Sequence, residues 1–243
     1  MLMAKEPLLA DLISNLVPAH GSLAIAVALR LADLLQGPGL GHPALLALFT
    51  SVMAADPLIE HATALDLQAV RTRDPACSSS LHAILAYKGF QALQAHRIAH
   101  ALRLGAREDL APWQANRASL VLGPDIHPAA TLGTGLILDH GSSIVIGETE
   151  VVEEDVSILQ NVTLDGTGKD LGARRPVLRR GVMIGAAAKV LGRIEIGAFS
   201  KVASGSVVLK DIPPRCTVAG IPAQIVRLHD QTVIPSLSMD QTF

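Results

Sequence analysis

The sequence predicts an α+β protein, an all-α N-terminal half followed by a single-stranded parallel β-helix of six-residue repeats. Three observations predict it. The apolar period changes from helical to six near residue 123. Beyond that point an aliphatic residue returns at every sixth position. The chain is also 49% hydrophobic but only 2% aromatic, as suits a core that stacks one aliphatic per repeat on its own copy.

The helical half comes first. A short pattern over 11–17 opens it. Over 22–36, Leu23, Val27, Arg30, Leu31 and Leu34 fall at helical spacing. Three glycines and two prolines between 37 and 43 break the pattern. Helices are expected over 43–54, 57–71 and 80–104, and one more over 113–122, stopped by Gly123-Pro124. Asp56-Pro57 and Asp74-Pro75 mark boundaries. Proline restricts the residue before it and suits a first helical position.

The repeats follow. Every sixth residue from Ile126 is Leu132, Leu138 and Ile144. The frame restarts two residues on with Ile146, Val152, Ile158 and Leu164. After a polar stretch it resumes as Leu178, Ile184, Val190, Ile196, Val202 and Val208. Four residues behind these stand mostly small or β-branched residues: Ala130, Leu136, Ser142, Val156, Val162, Val182, Ala188, Ile194, Ser200 and Ser206. Gly133, Gly147, Gly185 and Gly197 suit the corners, where positive φ is cheap. Three hexads make one coil of about eighteen residues, giving four to five coils. Ordinary strands in a sandwich would not keep one fixed period. Phe199, the aromatic inside the repeats, is off the inward register.

Composition excludes several functions. The net charge is −2 and the pI about 6.5. There is neither a basic face nor a set of aromatic platforms for nucleic acid. The N-terminus lacks the charged and apolar regions of a signal peptide. The most apolar stretch, 23–35, is broken by Arg30 and Asp33 and falls short of the roughly 18 residues of a span, so no membrane partner is expected. Cys77 and Cys216 lie far apart, as reduced thiols of a cytoplasmic protein would, and not as clustered metal ligands.

Several segments, in order, carry a family resemblance. They include Arg71-Thr72-Arg73-Asp74-Pro75-Ala76 within 66–76, Lys88-Gly89-Phe90 within 88–97, and Asp125-Ile126-His127-Pro128-Ala129-Ala130. Further on come Leu138-Asp139-His140, Val156-Ser157-Ile158-Leu159-Gln160-Asn161 within 156–164, and Gly220-Ile221-Pro222-Ala223. From about 45 to 230 the chain resembles the hexapeptide-repeat acyltransferases, and among them bacterial serine O-acetyltransferase. The resemblance implies a left-handed β-helix. The hand rests on it alone, since the general rule favours right-handed crossovers. It also implies an N-terminal assembly and substrate domain over 1–122, an acyltransferase domain over 123–229 with a loop at 165–176, and a tail over 230–243.

The implied reaction is acetyl transfer from acetyl-CoA to the hydroxyl of L-serine, for cysteine biosynthesis. Such a transfer needs a base, and histidine suits the task. His140 and Asp125 are fifteen residues apart, under one coil, and so lie on nearby faces. By spacing alone His140 reads more readily as a surface residue at a corner. The resemblance makes it the catalytic base and Asp125 the carboxylate that orients it. His127 reads as structural. The resemblance also places the amino acid on Asp74 and Asp139, with Glu148 as a further site acid. Asp74 alone would read as a helix cap.

The loop at 165–176 lacks the P-loop pattern, but its glycines and paired arginines suit a flap closing on an anion. By resemblance Arg174 pairs with the substrate carboxylate. Two positions depart from the family: Arg175 stands where it carries His, and Asp165 where it carries Gly. Serine is expected to remain the substrate, with altered affinity or altered cysteine inhibition. Coenzyme A is expected along a groove between subunits, near Gly166, Thr167, Ala186, Lys201 and Ser204, with Lys201 and Lys210 as the cations for its phosphates. A homotrimer or dimer of trimers, and feedback by L-cysteine, are implied as well. Relatives that dock on O-acetylserine sulfhydrylase end in Ile, whereas this chain ends at Phe243, so that partnership would need Phe243 in place of Ile.

Three other readings compete. An acetyltransferase for another small hydroxy amino acid, such as homoserine, is the nearest. A zinc carbonic anhydrase on the same repeat needs three His ligands, and the repeats offer His127 and His140. A non-catalytic scaffold would leave the Asp125 and His140 pair without a purpose.

Overall fold

The computed structural model describes residues 13–14, 22–166 and 176–242. Between residue 22 and the coil run the helices α1 (Leu23–Leu35), α2 (His42–Ala55), α3 (Pro57–Arg73), α4 (Ser80–Ala86), α5 (Lys88–Leu104) and α6 (Leu110–Leu122). Local chemistry sets their starts. The Ser22 hydroxyl accepts the Ile25 N–H, and the Asp56 carboxylate accepts the Leu58 N–H with Pro57 in the first turn. The pattern expected over 11–17 lies outside the described residues except at Ile13 and Ser14, which are helical.

Two expectations are corrected. The single helix expected over 80–104 is two helices, because Tyr87 is extended (φ −89°, ψ 93°) and both ends α4 and begins α5. Pro75 occupies a turn and not a first helical position. There the Asp74 N–H closes α3 on the Val70 carbonyl, and the Asp74 carboxylate takes the Ala76 N–H at 2.8 Å.

The coil consists of β1 (Asp125–Ile126), β2 (Thr131–Leu132), β3 (Ile137–Leu138), β4 (Val145–Ile146), β5 (Val151–Val152), β6 (Ser157–Ile158), β7 (Thr163–Asp165), β8 (Val177–Leu178), β9 (Met183–Ile184), β10 (Lys189–Leu191), β11 (Glu195–Ile196), β12 (Lys201–Val202) and β13 (Val207–Val208). An antiparallel pair, β14 (Cys216–Gly220) and β15 (Ala223–Leu228), ends it, followed by the short helix α7 (Pro235–Ser238). Strands three apart in sequence pair in parallel, forming three sheets around one core. The inward ladders are aliphatic, as in Ile126, Ile146, Leu164, Val190 and Val208 on the first sheet. Phe199 stays out of this core and packs at a corner under the Arg215 guanidinium, 4.6 Å from its ring centre.

The coil breaks its period twice. Paired residues are eighteen apart on the four rungs with no break between them. They are twenty apart between the first and second coils, the surplus falling between β3 and β4. They are twenty-six apart where the chain leaves β7 and returns at β8. The first break corrects the hexad reading. Ile144 lies buried at a corner, in the role expected of Ser142, because two extra residues precede it.

The halves share their cores. Leu93 of α5 is fully buried within the coil's cluster, and Ile137 of β3 belongs to the helical cluster. Buried Asp66 on α3 accepts from Arg97 (2.6 and 3.0 Å), from Gln94 (3.1 Å) and from the Leu136 N–H (3.0 Å). Arg97 also donates to the Gly133 carbonyl, so this ion pair stitches α3 and α5 to the coil. Burial holds the Asp66 carboxyl above the usual range, with Arg97 opposing it. Arg73 reaches Ser157, whose hydroxyl donates to the Ser236 carbonyl in the tail. Cys77 and Cys216 are both free and buried.

Candidate active site

The surplus of two residues falls at the corner between the third and first sheets. The chain turns there through left-handed backbone at His140 (φ +55°), Gly141 (φ +72°) and Ser143 (φ +54°). Such angles are uncommon for residues with a Cβ and require support. The Gly141 N–H donates to the Asp139 carbonyl at 2.6 Å, and the Asn161 N–H donates to the Ser142 carbonyl at 2.8 Å. Gly89 of α5 presses from outside: a Cβ on Gly141 would lie 3.0 Å from the Gly89 Cα.

The bulge projects the His140 side chain, which is 73% exposed. Its Nε2 lies 4.0 Å from Asp139 Oδ1. Burial raises the Asp139 carboxyl above its ordinary range, the Asp74 charge pushes it further, and His140 opposes both. Asp74 arrives from the end of α3, with one oxygen on the Ala76 N–H and the other accepting the Tyr87 hydroxyl at 2.7 Å. Two carboxylates and an imidazole from different halves of the chain therefore meet at one corner. A pair of nearby carboxylates is a site for a cation.

Asp125 lies on the same corner. Its N–H donates to the Ile144 carbonyl at 2.8 Å, and the preceding Pro124 packs against Gly141. Its side chain is on the outer face of β1 and exposed, because Ile126 points inward. No hydrogen bond or ion pair joins Asp125 to His140 in this structure, and the carboxylate that approaches the imidazole is Asp139. His127 is half-buried and serves local structure, its Nδ1 accepting the Ala129 N–H at 3.1 Å. Glu148 is exposed at the following corner, between β4 and β5.

Of the positions expected near coenzyme A, Ala186 and Ser204 occupy lower rungs of the His140 corner, where the Gly205 N–H donates to the Ala186 carbonyl. The Gly166 N–H folds back on the Asp165 carboxylate at 2.7 Å. The Lys201 side chain is buried, and its ammonium donates to the backbone carbonyls of Asp240 (2.7 Å) and Thr242 in the tail. Lys210 is exposed and donates to Gln224. Thr167, Arg174 and Arg175 lie outside the described residues.

Sequence reasoning missed two groups. Tyr87 interrupts what the sequence reads as one continuous helix. Glu150 occupies an inward corner position, is 1% exposed, and has an Oε2 without a partner. Burial raises its carboxyl above the usual range. The usable signal for this corner is the two-residue slip in the hexads, which the structure places between Leu138 and Val145, the span that holds Asp139 and His140. Among the described residues no group of three His, Cys, Asp or Glu side chains is arranged to hold a metal ion, and no single helix is long and apolar enough to cross a membrane.

Known proteins resemble the chain along nearly its whole length. The family described as serine acetyltransferase, N-terminal, matches residues 1–95. The serine acetyltransferase of Escherichia coli K12 is 48% identical over 98% of this chain and 87% of its own length. A serine acetyltransferase solved in complex with cysteine has a TM-score of 0.96 at 43% identity, covering 100% of this chain and 94% of that one. The serine acetyltransferase of Brucella abortus strain S19, solved with coenzyme A, has a TM-score of 0.92 at 45% identity, covering 94% of this chain and 92% of that one.

Proposed function

The chain belongs to the serine acetyltransferase family, and from that premise we propose how its residues divide the work. The enzyme is an acyltransferase that moves the acetyl group of acetyl-CoA to the hydroxyl of L-serine. His140 is the general base. Its imidazole takes the serine hydroxyl proton as that oxygen attacks the thioester carbonyl carbon. The tetrahedral adduct collapses, the carbon–sulfur bond breaks, and the imidazolium returns the proton to the CoA thiolate. Asp139 and Asp74 hold the substrate ammonium, and Arg174 its carboxylate. Asp125 is the orienting carboxylate, supported by the corner it shares with His140, and Glu148 is a further site acid.

The observation that carries this reading is the meeting of Asp74, Asp139 and His140 on the surplus-residue corner. His140→Asn is expected to lower kcat by about 10²–10⁴-fold with the acetyl-CoA KM little changed. CoA release measured with L-serine, L-homoserine and simple alcohols tests the acceptor. A better rate with homoserine would transfer the assignment to that amino acid, and full activity in His140→Ala would remove the general-base role from His140.

The finer readings follow from the same premise. Acetyl-CoA lies along the column of Ala186 and Ser204, with Gly166 and Thr167 at its loop end, closed by a neighbouring chain in a homotrimer or dimer of trimers. The protein acts in the cytoplasm in cysteine biosynthesis, and L-cysteine competes for the serine site, as the cysteine-bound relative suggests. Arg175→His is expected to shift the serine KM or the cysteine inhibition. A native gel shift with O-acetylserine sulfhydrylase tests whether Phe243 can stand for Ile.

A further inference from the structure

Tyr87 is the single residue between α4 and α5, and it is held on every side. Its N–H donates to the Ala83 carbonyl, and its own carbonyl accepts the Gln91 N–H at 3.0 Å. Its ring meets His82 edge-on, with centroids 5.3 Å apart, and packs against the helical core. From this fixed base the phenol donates to Asp74 at 2.7 Å. Burial, and then Asp74 itself, push the phenol's pKa up, so it remains a neutral donor. Two residues on, Gly89 packs against the Leu138 carbonyl, immediately before Asp139. One short stretch of backbone thus sets the Asp74 carboxylate relative to the corner of Asp139 and His140.

We propose that Tyr87 is a positioning residue for the acceptor amino acid: its hydroxyl fixes the Asp74 carboxylate so that Asp74 and Asp139 present a preformed double-anion seat to the α-ammonium group. This rests on the reading that these two carboxylates hold the ammonium. The phenol occupies one lone pair of Asp74 without cancelling its charge, whereas a lysine or arginine there would satisfy the carboxylate and block the substrate. With the donor removed, the Asp74 carboxylate keeps its bond to the Ala76 N–H but loses the tether on its second oxygen, which the substrate must then order on binding.

The test is Tyr87→Phe, which keeps the ring and its packing. The KM for L-serine should rise roughly tenfold, as expected for one hydrogen bond to a charged group. The values of kcat and of the acetyl-CoA KM should stay within about twofold. With 3-hydroxypropionate, which lacks the α-ammonium, wild type and variant should acetylate at the same slow rate. Tyr87→Phe placed on Asp74→Asn should add nothing further to the serine KM. A fall in kcat with unchanged serine KM, or an equal loss with 3-hydroxypropionate, overturns the proposal. If Asp74→Asn raises the serine KM and Tyr87→Phe does not, the role of Tyr87 fails alone. If Asp74→Asn leaves the serine KM unchanged, the ammonium reading fails and the proposal with it.

Discussion

Gly89 and Leu138 touch backbone to backbone: a Cβ on Gly89 would lie 1.9 Å from the Leu138 carbonyl oxygen. No rotamer relieves that clash, because the obstructing atom belongs to the main chain. The helical half and the first coil can approach this closely only through a residue without a side chain. Gly89→Ala is therefore expected to push α5 away from the corner that carries Asp139 and His140. Activity should fall at least tenfold, and the melting temperature by several degrees. Steady-state kinetics beside thermal unfolding check this, and full activity would refute the role of the contact.

The Asp66–Arg97 pair is the second seam between the halves. Asp66→Ala leaves a buried guanidinium without its carboxylate and the Leu136 N–H without its acceptor. The expected loss is about 3–5 kcal/mol, read by urea unfolding. Removing both partners should cost less than the sum of the single changes, since each residue's burial is tolerable only with the other present.

Glu150 carries the opposite sign. Its folded carboxyl is raised above the unfolded value by burial, so ionisation disfavours the fold, and stability is lost as pH rises through the carboxylate range. Glu150→Gln should melt a few degrees higher than wild type at pH 8, in keeping with about 1–3 kcal/mol for an unsatisfied buried group. The gain should vanish near pH 4. A gain of equal size at both pH values would mean that ionisation is not its source.

His96 acts at the acid end. Burial, then His100 and Arg97, push it down to about 3. Unfolding lets it protonate near its ordinary value of about 6.5, so stability should fall as pH drops from there towards 3. Replacing it with Gln should make that acid limb shallower, as a series of urea titrations across pH would report.

The parts of this fold that follow from local chemistry could be read in advance. Ser22, Asp56 and Pro57 begin helices because caps act over three or four residues, and the hexads place a ladder of aliphatics because each stacks on its own copy. What could not be read depends on contacts distant in sequence. Tyr87 interrupts an otherwise good helical pattern beside a contact between Gly89 and Leu138. The sequence offers Lys201 as a surface cation, and only the path of the tail shows its ammonium bonded to the carbonyls of Asp240 and Thr242. Glu150 sits four residues after Ile146, where a small or aliphatic side chain fits the pattern, and nothing in the repeat announces a carboxylate. The resemblance supplied Asp74, Asp139 and His140 together. The periodicity alone breaks after Ile144, near His140 but not at it, and the structure moves the break back onto the corner that His140 occupies.

That break has a material consequence. In a crystal, a dislocation leaves atoms with fewer neighbours than the lattice prefers, and reactivity gathers there. The first coil contains such a defect, a surplus of two residues that the coils on either side of the 165–176 loop do not repeat. A chain relieved of that surplus would form the more regular solid, and would lose the outward turn on which Asp139 and His140 stand.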